Sequence, residues 1–294
     1  MIRMNRMNRL IQYRPVPPSL IFLIATTLLA LTTIVAWAAE ESVLLEYHFK
    51  PDETITMEVT HRALTETSVS GVTQSVETAS DSTKRWRIVA VDDQGRSTIE
   101  HSVDDVTMTS RTSDRGEVRW SSRDDAPPPP GYETVRQSLG VPLSRVVIDR
   151  SGRVLERTDL RPTPPSSTGD LMVVPLPDGP VEVGTEWTVP QEVVIEIPGG
   201  QRRAIRTRLR YRVDAIRDGS VVIRVETTVL TPLDDPQFEA RLLERIWNGE
   251  ILFDTTSGRV TRRSTGIDRR VVGFSGQESS LRYKSSLDEV LTAE

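Results

Sequence analysis

The chain uses one phrase twice, and the phrase spells a hairpin. The first copy is Val147-Ile148-Asp149-Arg150-Ser151-Gly152-Arg153-Val154; the second is Leu252-Phe253-Asp254-Thr255-Thr256-Ser257-Gly258-Arg259-Val260. In each, an apolar run meets an Asp, a short polar turn closes on Ser-Gly, and Arg-Val opens the next run. Asp accepts hydrogen bonds from the backbone just ahead of it, and Gly takes the positive φ that the turn requires. Placed between alternating apolar and polar residues, such a turn commits the chain to antiparallel strands. Asp149 and Asp254 are therefore read as residues that set register, not as chemistry.

The rest of the chain agrees with this reading. Val43–Lys50 reads as a strand ended by Pro51-Asp52-Glu53, and Thr54–Arg62 as a second with Ile55, Met57 and Val59 on one face. Leu64–Ser82 is rich in Thr and Ser, as expected of long solvated strands around a turn near Gly71. Lys84–Val91 and Arg96–Ser110 flank an Asp/Gly turn, and Gly116–Trp120 is a short strand. The run Pro127–Pro130 cannot extend a ladder and reads as an exposed connection. Tyr132–Leu139 is the clearest helix of the first half. In Pro175–Trp187, Gly184 is placed in a tight turn that swings Trp187 inward, and Val189–Ile197 follows as a strand. The second half then runs as long strands over Arg203–Arg217, Ser220–Thr231, Phe238–Asp254, Arg259–Gly273 and Glu278–Thr292. Ala240–Trp247 fits a helical period as well as a strand, and is assigned to strand because Gly249–Phe253 continues it.

A second echo supports duplication. Trp86-Arg87-Ile88-Val89-Ala90-Val91 resembles Tyr211-Arg212-Val213-Asp214-Ala215-Ile216, and each precedes an Asp/Gly turn and then, later, the hairpin phrase. Two related halves of one sheet, two similar subdomains, or convergent hairpin chemistry would each produce this. The expected fold is all-β with minor α: a large curved antiparallel meander sheet with one or two short helices. The expected organisation is a segment at 1–39, a first β half at 40–160, a Pro/Ser-rich linker at 161–175 and a second β half at 176–294.

Residues 1–39 read as targeting. Met1–Pro18 is basic and free of acids, Leu20–Trp37 is apolar and uncharged, and Ala36-Trp37-Ala38 offers small residues for cleavage. The apolar run is also long enough to serve as an uncleaved membrane anchor. Either way the remainder is expected outside the cytoplasm, periplasmic or extracellular. Removing Arg3, Arg6, Arg9 and Arg14 from the 37 basic residues leaves 33 against 42 acidic, a net charge near −9. That balance argues against nucleic-acid binding. The chain has no Cys, which excludes thiol catalysis and zinc–thiolate sites.

No catalytic, cofactor-binding or metal-ligating set emerges from the motifs. His48, His61 and His101 lie in predicted strands without metal or triad spacing, and are expected to face solvent. Gly273-Phe274-Ser275-Gly276-Gln277 lacks the last glycine of a nucleophile elbow, and reads as a bend. The pairs Asp92-Asp93, Asp104-Asp105, Asp124-Asp125 and Asp234-Asp235 cannot share a proton on a strand, where neighbours point to opposite faces. They read as turn and solubility residues. Arg202-Arg203, Arg262-Arg263 and Arg269-Arg270 read as cross-strand ion pairs on a wet face. Trp86, Trp120, Trp187 and Trp247 read as core.

Leu45–Glu53, Pro175–Trp187 and Gly249–Val260 resemble segments of a family of uncharacterised secreted bacterial domains of unknown function. The long meander also resembles, at fold level only, the LolA-like half barrel of lipoprotein carriers. That resemblance implies an exported, non-enzymatic binding or interaction module, its concave sheet sheltering a lipid or other hydrophobic ligand. The alternative is a structural envelope domain that binds another protein; a hydrolase with an unrecognised site is weaker. No cofactor is expected, and membrane contact only through an uncleaved N-terminal segment.

Overall fold

Twelve strands pair into one antiparallel sheet in the computed structural model, which describes residues 42–161, 173–197 and 199–292. The segment at 1–39 read as targeting, and residues 162–172 of the expected linker, lie outside the described residues. The strands are β1 (Thr54–Val69), β2 (Val72–Val91), β3 (Ser97–Thr112), β4 (Gly116–Ser121), β5 (Ser144–Ile148) and β6 (Val154–Asp159). They continue with β7 (Glu186–Glu196), β8 (Arg202–Arg217), β9 (Ser220–Val229), β10 (Asn248–Asp254), β11 (Arg259–Val272) and β12 (Ser280–Leu291). Helix α1 (Glu133–Ser138) precedes β5 and helix α2 (Pro236–Leu242) precedes β10.

The order across the sheet is β6-β5-β3-β2-β1-β12-β11-β10-β9-β8-β7, with β4 paired to the far part of β3. One pattern occurs in it twice. Strands β1, β2, β3, β5 and β6 lie side by side, and so, in the same direction, do β7, β8, β9, β10 and β11. A helix-bearing connection separates the third strand from the fourth in both sets. The two echoes seen in the sequence fall on equivalent elements: Trp86–Val91 on β2 and Tyr211–Ile216 on β8, the repeated phrase on hairpins β5/β6 and β10/β11. Strand β12 joins the sets by pairing with β1 on one side and β11 on the other.

The sheet curls enough to pack its wings on each other at one end. A single buried cluster gathers Ile55, Trp86, Ile88, Ile99 and Ile148 from one wing with Leu209, Tyr211, Ile223 and Phe253 from the other. Val43–Lys50, expected as a strand, is instead a strap across this end. Only Val43 makes a ladder bridge, to Val181. Tyr47 N donates to Arg150 O (2.8 Å) and His48 N donates to Gly258 O (3.2 Å), so the strap runs between the two repeated turns. This accounts for the Ser-Gly of the phrase. Gly152 and Gly258 have φ of +75° and +63°; a Cβ on Gly152 would stand 2.6 Å from the Tyr47 ring, and one on Gly258 2.7 Å from His48 N. Asp149 Oδ1 accepts from Ser151 N (2.9 Å) and Arg153 N (3.0 Å), as Asp254 Oδ1 does from Ser257 N (2.6 Å), which holds each turn in shape. Tyr47 Oη donates to Val174 O (3.1 Å) and accepts from Val174 N (2.8 Å), tying in the stretch after the linker.

The strand expected over Phe238–Asp254 is a correction. Residues 236–242 form α2 and Leu243–Arg245 a 3-10 turn, and only Asn248–Asp254 is strand. Asp235 caps the helix by accepting from Gln237 N (2.8 Å), and Pro236 opens it. The helix lays Phe238 and Leu242, and the 3-10 turn Leu243, on Ile195, Ile205, Val271 and Tyr283 in a second buried cluster.

Candidate functional site

Ladder register decides which side chains point into the concavity. Opposite Met57 on β1 stand Lys84 and then Val103; opposite Val59 stand Glu289, Arg263 and Ile251 in turn. Inward positions fall into three zones. The curled end is the filled apolar core. Next comes a buried polar belt across both wings, which includes Lys84, His101, Ser144, Glu289, Arg263, Thr265 and Thr207. Beyond the belt, the wing formed by β7–β11 is covered by α2, while β1–β4 continue as a trough.

The belt centres on Glu289, 2% exposed, whose two carboxylate oxygens pair with Lys84 and Arg263. Burial alone would raise its pKa; the two cations outweigh that and hold the carboxyl well below its usual range. His101 is pushed the other way. Burial, with the Lys84 charge beside it, lowers its pKa to about 4, so the imidazole is neutral at pH 7. Among the described residues, His101 Nε2, Trp86 Nε1, Trp120 Nε1 and Thr207 Oγ1 are buried without a protein hydrogen-bond partner. All four sit at inward positions.

The trough floor is made of His61, Ala63 and Thr65 on β1, Thr78, Ser80 and Ser82 on β2, and Met108 and Ser110 on β3, all half-buried. None carries a charge: burial, with Arg62 adjacent, lowers the pKa of His61 and keeps it neutral. The outer face of these strands and of the neighbouring β11 and β12 is charged and mutually paired, as in Arg62–Asp81 (2.8 Å), Arg111–Glu117 (2.7 Å) and Arg282 with Asp268 (2.9 Å) and Glu66 (3.3 Å). One wall is the connection from β4 to β5, where Tyr132 stands over Trp120 with ring centroids 6.0 Å apart. The other is α2. Between α2 and the floor a cavity of about 480 Å³ opens, lined by Thr65, Thr67, Leu281, Phe274, Ala240 and Arg241 among others. Val69, Val72, Val76 and Val118 extend the inner face at the strand tips, all exposed.

These placements correct two expectations. His61 and His101 do not face solvent, because odd-numbered residues of β1 and the positions opposite Trp86 both point inward. His48, on the strap, is exposed as expected. Arg262 and Arg263 do not share a wet face: Arg262 lies outside, 3.6 Å from Asp288, and Arg263 is buried on Glu289. Other expectations held. Arg202 pairs with Glu196 (3.3 Å) across hairpin β7/β8, whereas its neighbour Arg203 departs from the expectation, donating to Pro232 O (3.0 Å) with its guanidinium 5.7 Å from the centre of the Phe238 ring. Trp86, Trp120 and Trp247 are buried, and Trp187 stacks on Tyr211 at 5.3 Å. Gly273–Gly276 is the bend into β12.

His61 Nε2 lies 3.1 Å from Ser285 Oγ, the arrangement closest to a nucleophile and base. Both residues sit mid-ladder on β1 and β12, where backbone N–H groups are committed to the sheet and cannot converge as an oxyanion hole. Among the described residues no carboxylate bonds the other imidazole nitrogen, and no group of three or more His, Asp or Glu side chains is placed to hold a metal. Among the described residues no helix is long and apolar enough to cross a membrane.

No protein-family model matches the chain, and no curated protein matches it. Among solved structures, one of lipovitellin, described by its lipid–protein interactions, matches 84% of this chain at 13% identity with a TM-score of 0.49. The matched part is 26% of the lipovitellin chain, so this protein corresponds to about a quarter of that one. DynF, from the dynemicin biosynthesis pathway of Micromonospora chersina, matches 88% of this chain and 89% of its own at 7% identity and a TM-score of 0.24. A DUF1329 family protein from Desulfovibrio piger matches 78% of this chain and 84% of its own at 11% identity and a TM-score of 0.15. With TM-scores below 0.5, these likenesses give no support to the resemblance to lipoprotein carriers.

Proposed function

We propose that the protein is an exported, non-enzymatic binding module that shelters the apolar part of a lipid or another hydrophobic ligand in the trough. The charge asymmetry of β1–β4 carries this reading. A sheet with both faces in water has no reason to clear one of them of charge. Here the outer face holds Glu58, Arg62, Glu66, Glu77, Asp81 and Arg85, while beyond the belt the inner face holds Ala, Ser, Thr, Val, Met, Gln74 and the neutral His61. Small side chains on the floor and two walls above it leave a concave channel with an uncharged floor, the form that ligand sites commonly take. The test is native mass spectrometry of the full chain purified from its own host, beside a Ser80→Arg variant that sets a cation on the floor. Co-purified lipid on the natural protein, lost in the variant, is the expected result. Protein free of lipid, with no uptake from added vesicles by either form, would overturn the reading.

The alternative, an envelope protein–protein contact, draws on a separate observation. Every residue of edge strand β6 is exposed, including Val154 and Leu155, so this edge is open to strand addition among the described residues. Cross-linking through Leu155→Cys in the intact cell envelope would capture a protein partner under that reading and none under the first.

A further inference from the structure

We propose that the polar belt where the trough meets the core is a headgroup site, and that its ligand is an amphiphile with a long acyl chain ending in an oxyanion, a carboxylate or a phosphate. This rests on the trough being the binding face.

The belt collects donors on two neighbouring strands. Lys84 and Trp86 lie on the same face of β2, and His101 stands directly opposite Trp86 on β3. An ammonium has three hydrogens to give, and an indole N–H can only donate. Lys84 places one on Glu289. Trp86, 7% exposed, bonds nothing through Nε1 among the described residues, nor does His101 through Nε2. Buried polar groups without partners are few in folded proteins, and each calls for a physical explanation. Two of them beside a buried ammonium are explained together by one acceptor that carries negative charge, with the neutral His101 holding its proton on Nε2. An oxyanion supplies several lone pairs and a charge that Lys84 favours.

The trough gives that acceptor its tail. Ser82 and Ser80 follow Lys84 inward-facing along β2, and the floor runs on through Thr78, Val76 and Gln74. The nine residues from Ser82 to Gln74, eight steps of strand, span roughly 27 Å, long enough for an extended acyl chain. Polarity therefore changes once along the trough: donors at the deep end, then an uncharged floor, then exposed valines at the tips. An amphiphile has the same sequence of parts.

The experiment compares palmitate, hexadecyl phosphate, hexadecanol and inorganic phosphate by titration calorimetry with the full-length protein. The natural protein should bind palmitate or hexadecyl phosphate at least about tenfold more tightly than hexadecanol, the gain expected of a charge-assisted hydrogen bond. Whichever of the two binds better names the headgroup. In Lys84→Met, which leaves Glu289 paired with Arg263, the preference over hexadecanol should collapse toward one. Trp86→Phe, which removes only the N–H and the indole bulk, should lower it several-fold, and Arg62→Ala on the outer face should leave it unchanged. Equal affinity of the natural protein for palmitate, hexadecyl phosphate and hexadecanol would overturn the headgroup site while leaving the trough as a binding face. Inorganic phosphate binding as tightly as hexadecyl phosphate would overturn the amphiphile. Binding of none of the four would overturn both.

Discussion

Replacing Gly258 with alanine should destabilise the protein far more than the same change at Gly71, although both glycines have positive φ, +63° and +79°. Holding a side-chain-bearing residue in the left-handed region costs about 1–2 kcal/mol, and the loss of unfolded-chain freedom on going from Gly to Ala returns roughly 0.4–1 kcal/mol. At Gly71 a Cβ meets nothing within 4 Å, so the net loss there is about 1 kcal/mol. At Gly258 it would stand 2.7 Å from His48 N and 2.8 Å from Glu46 O. Both are backbone atoms and cannot rotate away. The strap must shift, which breaks the His48 N to Gly258 O hydrogen bond, worth about 1 kcal/mol. The shift also draws Tyr47 partly out of the core, at a further 1–2 kcal/mol or so. The total is about 3–4 kcal/mol. For a folded unit of this size each kcal/mol moves the unfolding midpoint by roughly 2–4 °C, so Gly258→Ala should fall by about 10 °C and Gly71→Ala by about 3 °C. Urea titration and thermal melts followed by tryptophan fluorescence would measure both. Equal shifts would mean that the repeated turn does not grip the strap and that its Ser-Gly serves the turn alone.

Stability should also decline as pH falls from about 6.5 toward 4: the unfolded chain takes up the His101 proton near 6.5, the folded protein only near 4. A shift of that size is worth up to roughly 3 kcal/mol, so His101→Gln should lose much less stability than the natural protein between pH 7 and pH 5 in urea titrations; matching losses would place the titrating group elsewhere. The groups around the imidazole are Trp86 and Ser144 in register, with the charges of Lys84, Glu289 and Arg157 nearby. Glu289→Gln should cost about 3–5 kcal/mol by leaving Lys84 and Arg263 facing a neutral amide in the interior. Glu66→Gln, at the exposed pair with Arg282, should cost less than about 1 kcal/mol in the same assay.

Much of this fold could be read along the chain because strands record their faces every second residue. The hairpin phrase, the turn at Gly71 and the placement of α1 all rest on local chemistry and were legible. The strap was not. Val43–Lys50 alternates as a strand does, but its partners are two turns distant in sequence, and alternation does not say what a segment pairs with. Helix α2 was missed for a different reason: its apolar residues fit both periods. The deciding signal was Asp235-Pro236, a cap followed by a residue suited to the first helical turn. The belt was half legible. Lys84 keeps the spacing of Trp86 and Ile88 and so points inward with them, and Arg263 must oppose Arg262. That the two meet on Glu289 depends on β12 lying between β1 and β11, which is a matter of topology.

That same position of β12 governs the timing of folding. Strand β1 forms early in the chain, yet one of its two ladders needs the last strand, and the strap cannot be gripped on both sides until Gly258 is present. Contacts of such long sequence separation slow folding and leave strand edges unpaired while the chain waits. The Thr- and Ser-rich stretch of β1 and β2 is suited to that wait, since its exposed edge is neither long-chain apolar nor prone to adhere. A chain lacking β12 should therefore remain unfinished at its centre, and not merely shortened at one end.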